Sequence, residues 1–346
     1  MSLPFKRSRL NFIWLVWLIV PAILIWALRN TQLSEIGSTF RGLGAIQLLV
    51  LGVLNASIFL LISSRWWLIL RTQGYKVPYF TLSGYRLLGF GITYFTPGPQ
   101  FGGEAMEVYL LANRNQVPTH VALASVTMDK ILDMMSNFVF MIVGVFIVLQ
   151  AGFFAGMAPY ETLPVTFFFF GTLLAYSVAL WYGKKPFSWL ISKLPLSFKW
   201  LKAIEKTIAS AEQEITQFCR EKPHGILKAV LLSAVIWAGM ITEYWLVLHF
   251  LGLKLSFLQT LVAMVASRIA FLFPLPGGIG FLEASQMLAM QAMGLNPTQG
   301  LTISLFMRGR DILMGGTGLI WGGLLSRQRL EPSLPSPEAE RPSEMD

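Results

Sequence analysis

Twelve ionisable side chains stand inside stretches of sequence that are otherwise apolar. Arg86, Glu104, Glu107, Asp129, Lys130 and Asp133 lie in the first half of the chain, and Glu243, Arg268, Glu283, Arg308, Arg310 and Asp311 in the second. Their types suit the capture of a charged headgroup. Guanidinium groups grip phosphate through two parallel hydrogen bonds, and carboxylates bind an amine or take up a proton. The spacing adds detail. Asp129 and Asp133 are four residues apart and share a helical face, so their repulsion calls for a cation, which Lys130, Arg268 or Arg310 could supply. Arg308 and Asp311, three apart, are within reach of each other. Two readings fit these residues: an ion-pair network that braces the molecule, or a polar cavity for a headgroup or a coupling proton.

Two Pro/Gly clusters accompany the charges. The first is "FTPGPQFGGEAMEVYLL" (95–111), and the second is "FPLPGGIGFLEA" (273–284). Pro97, Gly98, Pro99, Gly102, Gly103, Pro274 and Pro276 are placed at hairpin tips. If a helix begins after each set of glycines, Glu104 and Glu283 fall in its first turns, where a carboxylate meets the positive end of the helix dipole. The free N–H groups of such a start also bind phosphate. Gly277, Gly278 and Gly280 would let backbone approach a ligand closely, since glycine has no side chain.

The elements that must hold these groups are membrane-spanning helices. The 346 residues are 54% hydrophobic and only 13% charged, against about 25% charged in soluble domains. Spans of roughly 20 apolar residues cross a bilayer. Six are expected, at about 11–28, 44–70, 119–150, 162–183, 226–251 and 297–325, with the interrupted regions 79–113 and 256–293 as re-entrant hairpins. The start "PFKRSRL" with its apolar run reads as an uncleaved signal anchor. Within 184–225, "FKWLKAIEKTIASAEQEITQFC" has apolar residues at helical spacing and reads as an interfacial amphipathic helix. The Pro/Ser/Glu-rich residues 327–346 read as a disordered cytoplasmic tail. At mid-bilayer each charge costs on the order of 3 kcal/mol, so twelve unpaired charges would cost roughly 36 kcal/mol, beyond the usual folding stability of about 5–15 kcal/mol. They must pair or line a wet cavity.

The sequence repeats itself at an offset of 179 residues: Pro97-Gly98 with Pro276-Gly277, Glu104-Ala105 with Glu283-Ala284, Pro118-Thr119 with Pro297-Thr298, Ser125 with Ser304 and Met128 with Met307. The membrane domain, residues 1–326, accordingly divides into repeat A (about 44–150), repeat B (about 226–326) and a basic loop (184–225). Nine Lys and Arg residues lie between Lys184 and Lys228, with others at Lys6, Arg7, Arg9, Arg327 and Arg329. Cytoplasmic loops collect such residues. All three regions fall on the cytoplasmic side only if each interrupted region enters and leaves on one side. The repeats then have inverted topology, an arrangement of transporters in which broken helices meet near the midplane.

Soluble chemistry is scarce. No Walker A sequence or Gly-x-Ser-x-Gly elbow occurs, so no ATP motor is encoded, and movement would be passive or ion-coupled. His120, His224 and His249 lack metal-ligand spacing, and the single Cys219 excludes an internal disulfide and a thiolate cluster. No catalytic residue, metal or cofactor is expected. The net charge of +9 is concentrated beside apolar spans, which fits membrane orientation and anionic headgroups better than nucleic acid.

Three blocks, "PGPQFGGEAMEVYLL", "TMDKILDMM" and "FPLPGGIGFLEA…MRGRD", resemble the lysylphosphatidylglycerol synthase transmembrane, or flippase-like, family over roughly residues 10–325. Members often carry Pro-x-Arg-x-Gly-Glu in the first block. Here Pro99, Gly103 and Glu104 fit, while the arginine slot reads Phe101 or Gly102. A Glu-Arg pair common ahead of Asp133 reads Asp129-Lys130. The resemblance implies an all-α polytopic protein that translocates an anionic or isoprenoid-linked lipid across the bacterial inner membrane, both termini cytoplasmic. It implies no lipid aminoacylation by this chain, whose acidic tail stands where bifunctional relatives carry a soluble transferase domain. Two alternatives remain: an intramembrane lipid-modifying transferase using Glu104 or Glu283 as base, and a non-catalytic membrane partner of a separate glycosyl- or aminoacyltransferase.

Overall fold

The computed structural model describes residues 43–96, 102–150, 162–192, 199–271 and 280–327. All regular elements among them are α-helices: α1 (Ala45–Thr72), α2 (Tyr79–Phe95), α3 (Gly103–Arg114), α4 (Thr119–Gln150), α5 (Thr162–Trp181), α6 (Pro186–Ser192), α7 (Lys199–Glu221), α8 (Pro223–Phe250), α9 (Phe257–Ala270), α10 (Phe281–Ala292) and α11 (Pro297–Arg327).

Local chemistry sets several of these bounds. Proline tolerates the first turn of a helix, where its missing N–H needs no partner, and it stands at or just before the starts of α2, α4, α8 and α11. At α9 the Ser256 hydroxyl accepts from the Gln259 N–H at 3.2 Å while the Gln259 side chain accepts from the Ser256 N–H at 2.9 Å. This reciprocal cap satisfies two otherwise orphaned donors.

Three helices among the described residues are long and apolar enough to cross a membrane: α1, the Thr119–Ile147 part of α4, and α8. Six spans were expected from sequence. The first, 11–28, lies outside the described residues. The expected 162–183 span corresponds to α5, of which Phe170–Trp181 is an apolar helical segment among the described residues. α11 has the length, but glycines and the Arg308–Asp311 charges dilute its apolar character. Of the expected hairpin residues, Pro97, Gly98, Pro99, Pro274, Pro276, Gly277 and Gly278 lie outside the described residues. Gly102 and Gly103 fall at the N-cap and first position of α3.

Two apolar cores flank the polar residues. One gathers Trp66, Leu82, Tyr85, Leu88, Leu111 and Val121 from α1 to α4. The other gathers Tyr244, Met264, Met290, Ile303 and Met307 from α8 to α11. Packing between these groups pairs α2 with α11, α4 with α9, and α1 with α8. The α2–α11 contact is a backbone contact: a Cβ at Gly318 would stand 2.1 Å from the Leu87 carbonyl oxygen. The helix starts recur at nearly the sequence offset, with α2 and α9, α3 and α10, and α4 and α11 each 178 residues apart.

α7 corrects an expectation. Its apolar residues Ala211 and Ile215 pack with Ala124 and Leu180, and Phe218 packs with Ile69 and Met128. Over this later part of α7, the face that suggested an interfacial helix is covered by α4, α5 and the end of α1.

Candidate functional site

The polar interior begins with a residue the sequence reading passed over. Arg65, on α1, is 1% exposed. Its Nε lies 2.7 Å from Asp129 Oδ1, its Nη2 lies 3.3 Å from Asp133 Oδ1, and its Nη1 donates to Ser233 Oγ on α8 at 3.1 Å. It supplies the cation that the Asp129/Asp133 spacing demands. Lys130, Arg268 and Arg310, the cations expected there, make their contacts elsewhere. Arg86 on α2 adds a second guanidinium, with Nη2 2.6 Å from Asp129 Oδ2. Its Nε stands 3.3 Å from Glu107 Oε1, in ion-pair range but without hydrogen-bond geometry. The Arg86 guanidinium also sits 4.9 Å above the Trp66 ring. That ring donates its N–H to Ser125 Oγ at 3.1 Å, giving this buried serine a structural role.

Glu104 and Glu283 begin α3 and α10, as the Pro/Gly clusters imply. Each closes its own helix: Glu104 Oε2 accepts from Gly102 N–H at 2.8 Å, and Glu283 Oε2 accepts from Gly280 N–H at 2.9 Å. Each also takes a cation from the following long helix. Lys130 Nζ is 2.8 Å from Glu104 Oε1, and Arg308 pairs with Glu283. The expected Arg308–Asp311 contact is absent among the described residues. Arg310 instead folds back along its own helix, donating through Nε to Asp311 Oδ1 at 2.8 Å and pairing through Nη1 with Glu243. Glu243 also accepts from Asn55 Nδ2 on α1 at 3.0 Å.

Between these networks lies a cavity of about 340 Å³. Helices α1, α2, α3, α4, α8, α9 and α11 all contribute to its wall. Of the side chains singled out in the sequence, Glu104, Lys130, Asp133, Arg268, Arg310 and Asp311 line it, as do Arg86 and Glu243. Asp129, Glu283, Arg308 and Gly280 do not; the first three are engaged in the ion pairs just described. Asn55, Trp237, Thr93 and Tyr94 are among the other polar and aromatic residues of the lining, and no periodicity in the sequence marks them.

Arg268 differs from the other arginines of the site. It contacts no carboxylate within ion-pair range among the described residues. Its guanidinium lies 4.9 Å from the centre of the Trp237 ring, and its Nη2 meets the Met240 sulfur at 3.4 Å. Trp237 stacks in turn on Phe140, with ring centres 4.6 Å apart. A guanidinium held over an aromatic face keeps its in-plane donors available. The site therefore holds one guanidinium without a carboxylate partner among the described residues, together with several charges already paired.

A profile of the family described as the lysylphosphatidylglycerol synthase TM region matches residues 13–316. The chain belongs to that family. The family match covers every residue that lines the cavity. Relatives carry the description UPF0104 membrane protein. One, from Pyrococcus horikoshii, is 26% identical over 298 residues, covering 82% of this chain and 88% of the relative. Another, from Methanocaldococcus jannaschii, is 22% identical over 270 residues, covering 74% and 77%. A third, from Methanothermobacter thermautotrophicus, is 23% identical over 274 residues, covering 77% and 81%. No solved structure matches the chain. The chain is thus a helical membrane protein of the lysylphosphatidylglycerol synthase TM region family.

Proposed function

We propose that the protein is a flippase-like transporter that moves an anionic lipid, a glycerophospholipid or an isoprenoid-linked one, with the headgroup passing through the central cavity. The observation that carries this reading is Arg268: a guanidinium in the wall of a cavity built from both halves of the chain, without a carboxylate partner. A charge at that depth is costly unless paired, and an anionic headgroup is a partner the cavity can admit. Charge-assisted hydrogen bonds contribute about 1.5–3 kcal/mol, so Arg268→Gln should slow movement of fluorescent phosphatidylglycerol in liposomes by about 10- to 100-fold. The fold should survive, since no buried carboxylate is stranded. Wild-type rates in Arg268→Gln liposomes would refute the reading.

The proposal includes an inverted relation between the halves, with the α2–α3 hairpin entering from one face of the membrane and the α9–α10 hairpin from the other. The 179-residue offset and the Lys/Arg distribution support it. The cytoplasmic face then carries the basic 184–225 region and both termini. Cys219 makes the test simple. It sits partly buried on α7, outside the spanning helices, and burial pushes its thiol up to about 11. Little thiolate forms near neutrality, so the native cysteine reacts slowly. Asn113 and Gln291, exposed in the last turns of α3 and α10, can each be changed to cysteine in that background. A membrane-impermeant maleimide should label Asn113→Cys and Gln291→Cys from opposite faces; labelling from one face alone would exclude the inverted arrangement.

A further inference from the structure

The charges around the cavity carry an implication for what must travel with the lipid. Four cations line it: Arg86, Lys130, Arg268 and Arg310. Four carboxylates line it as well: Glu104, Asp133, Glu243 and Asp311. The lining groups therefore balance when the cavity is empty and all are ionised, while Arg65, Asp129 and Glu107 behind the wall add one further negative charge. Three of the cations are spoken for: Lys130 by Glu104, Arg310 by Glu243 and Asp311, and Arg86 by Asp129 and Glu107 behind the wall. The cation left over is Arg268. The carboxylate held least closely is Asp133, whose one ion-pair contact among the described residues is the 3.3 Å one to Arg65, a guanidinium bound more closely to Asp129. Asp133 is also the most accessible of these carboxylates, with 46% of its side chain exposed, against 25% for Glu104, 10% for Asp311 and 7% for Glu243.

The groups facing Asp133 from the packed helices are Arg65 on α1, Arg86 on α2, Arg268 on α9, and Asp129 and Lys130 on its own helix. An anion seated on Arg268 neutralises the one lining cation not already held by a carboxylate among the described residues. The site then holds one negative charge more than when empty, in surroundings where unscreened charge is expensive. A proton on Asp133 restores the charge of the empty site. Each ligand favours the other, because coupling between two sites is reciprocal.

We infer that the cavity takes a monoanionic phosphodiester headgroup on Arg268 together with one proton on the carboxylate of Asp133, so that the lipid crosses as a proton symport without net charge. The proton comes from water on the entry side, converts the carboxylate to a carboxyl, and leaves with the headgroup on the far side. This inference rests on the translocation reading above.

The test uses the full chain in phosphatidylcholine vesicles containing a pH-sensitive dye, with labelled phosphatidylglycerol added to the outer leaflet. Wild type should bring label inward and acidify the lumen, one proton per lipid. The rate should rise as pH falls, by up to about tenfold per pH unit where protonation limits it. Asp133→Asn should abolish the acidification and the pH dependence, and should make residual movement respond to an imposed membrane potential. Asp133→Glu should restore coupling. Lipid movement by wild type without acidification, or acidification that persists in Asp133→Asn, would overturn the coupling while leaving translocation standing. An absence of lipid movement in wild type would overturn translocation and the coupling with it. Should Asp133→Asn fail to fold, the proton count of wild type and Asp133→Glu decides the question.

Discussion

Replacing Arg65 by alanine should cost about 3–5 kcal/mol of stability, the range found when one partner of a buried ion pair is removed. The side chain is 1% exposed and stands between two carboxylates, one of them equally buried. Its loss strands Asp129 with Arg86 as its remaining cation and leaves Asp133 with none within ion-pair range among the described residues. Arg65→Lys should recover only part of the loss. An ammonium is a point charge and cannot reproduce three separate contacts through Nε, Nη1 and Nη2. Combining Arg65→Met with Asp129→Asn and Asp133→Asn should recover more, since a neutral, filled site is less costly than a broken charged one. Thermal unfolding in detergent, followed by the loss of monodisperse protein, measures all three. Arg65→Ala unfolding at the wild-type temperature would contradict the assignment of this residue as the keystone of the first network.

Gly103→Ala should be the most damaging single methyl added at any of the described glycines. A Cβ there would stand 1.9 Å from the Gly89 carbonyl oxygen and 2.4 Å from its carbon. Both are backbone atoms, so no side chain can swing aside. The hairpin arms α2 and α3 would have to separate where Gly103 N–H donates to the Thr93 hydroxyl at 2.9 Å. Overpacking costs typically 1–3 kcal/mol and occasionally more, and this contact belongs at or above about 3. The same substitution at Gly52, on the exposed face of α1, meets nothing within 4 Å and should stabilise by about 0.5–1 kcal/mol through helix propensity. Opposite signs for one chemical change, read in the same unfolding assay, isolate the packing term. Equal effects would mean that α2 and α3 are less closely apposed than described.

The helices were legible because their signals are local. Apolar runs give α1, α4 and α8, and prolines mark where α2, α4, α8 and α11 begin. The Pro/Gly clusters correctly place Glu104 and Glu283 in the first turns of α3 and α10. The ion pairs were less legible, since most join helices far apart in sequence. Arg65 is a single charge in "SSRWWLIL", and nothing nearby announces partners 64 and 68 residues away. Arg308 and Asp311 have the spacing of a helical pair, yet Glu283 from α10 captures the arginine. Arg310 and Asp311 pair although adjacent residues do not share a helix face; the long guanidinium stem folds back to reach both Asp311 and Glu243. Charge inventory in sequence thus announces a polar interior, while the pairing belongs to the tertiary structure.

The ion pairs share a further property. Those of Arg65, Arg86 and Lys130 close entirely among α1, α3 and α4 with α2, and those of Arg308 and Arg310 close entirely among α8, α10 and α11. Among the described residues, polar side-chain contacts from one set to the other are the Arg65–Ser233 and Asn55–Glu243 hydrogen bonds, and Lys222, the N-cap of α8, donates to the Thr72 carbonyl of α1. Shearing the two helical sets past each other would rupture those links, and the close α2–α11 packing with them, yet leave every salt bridge of these arginines and of Lys130 whole.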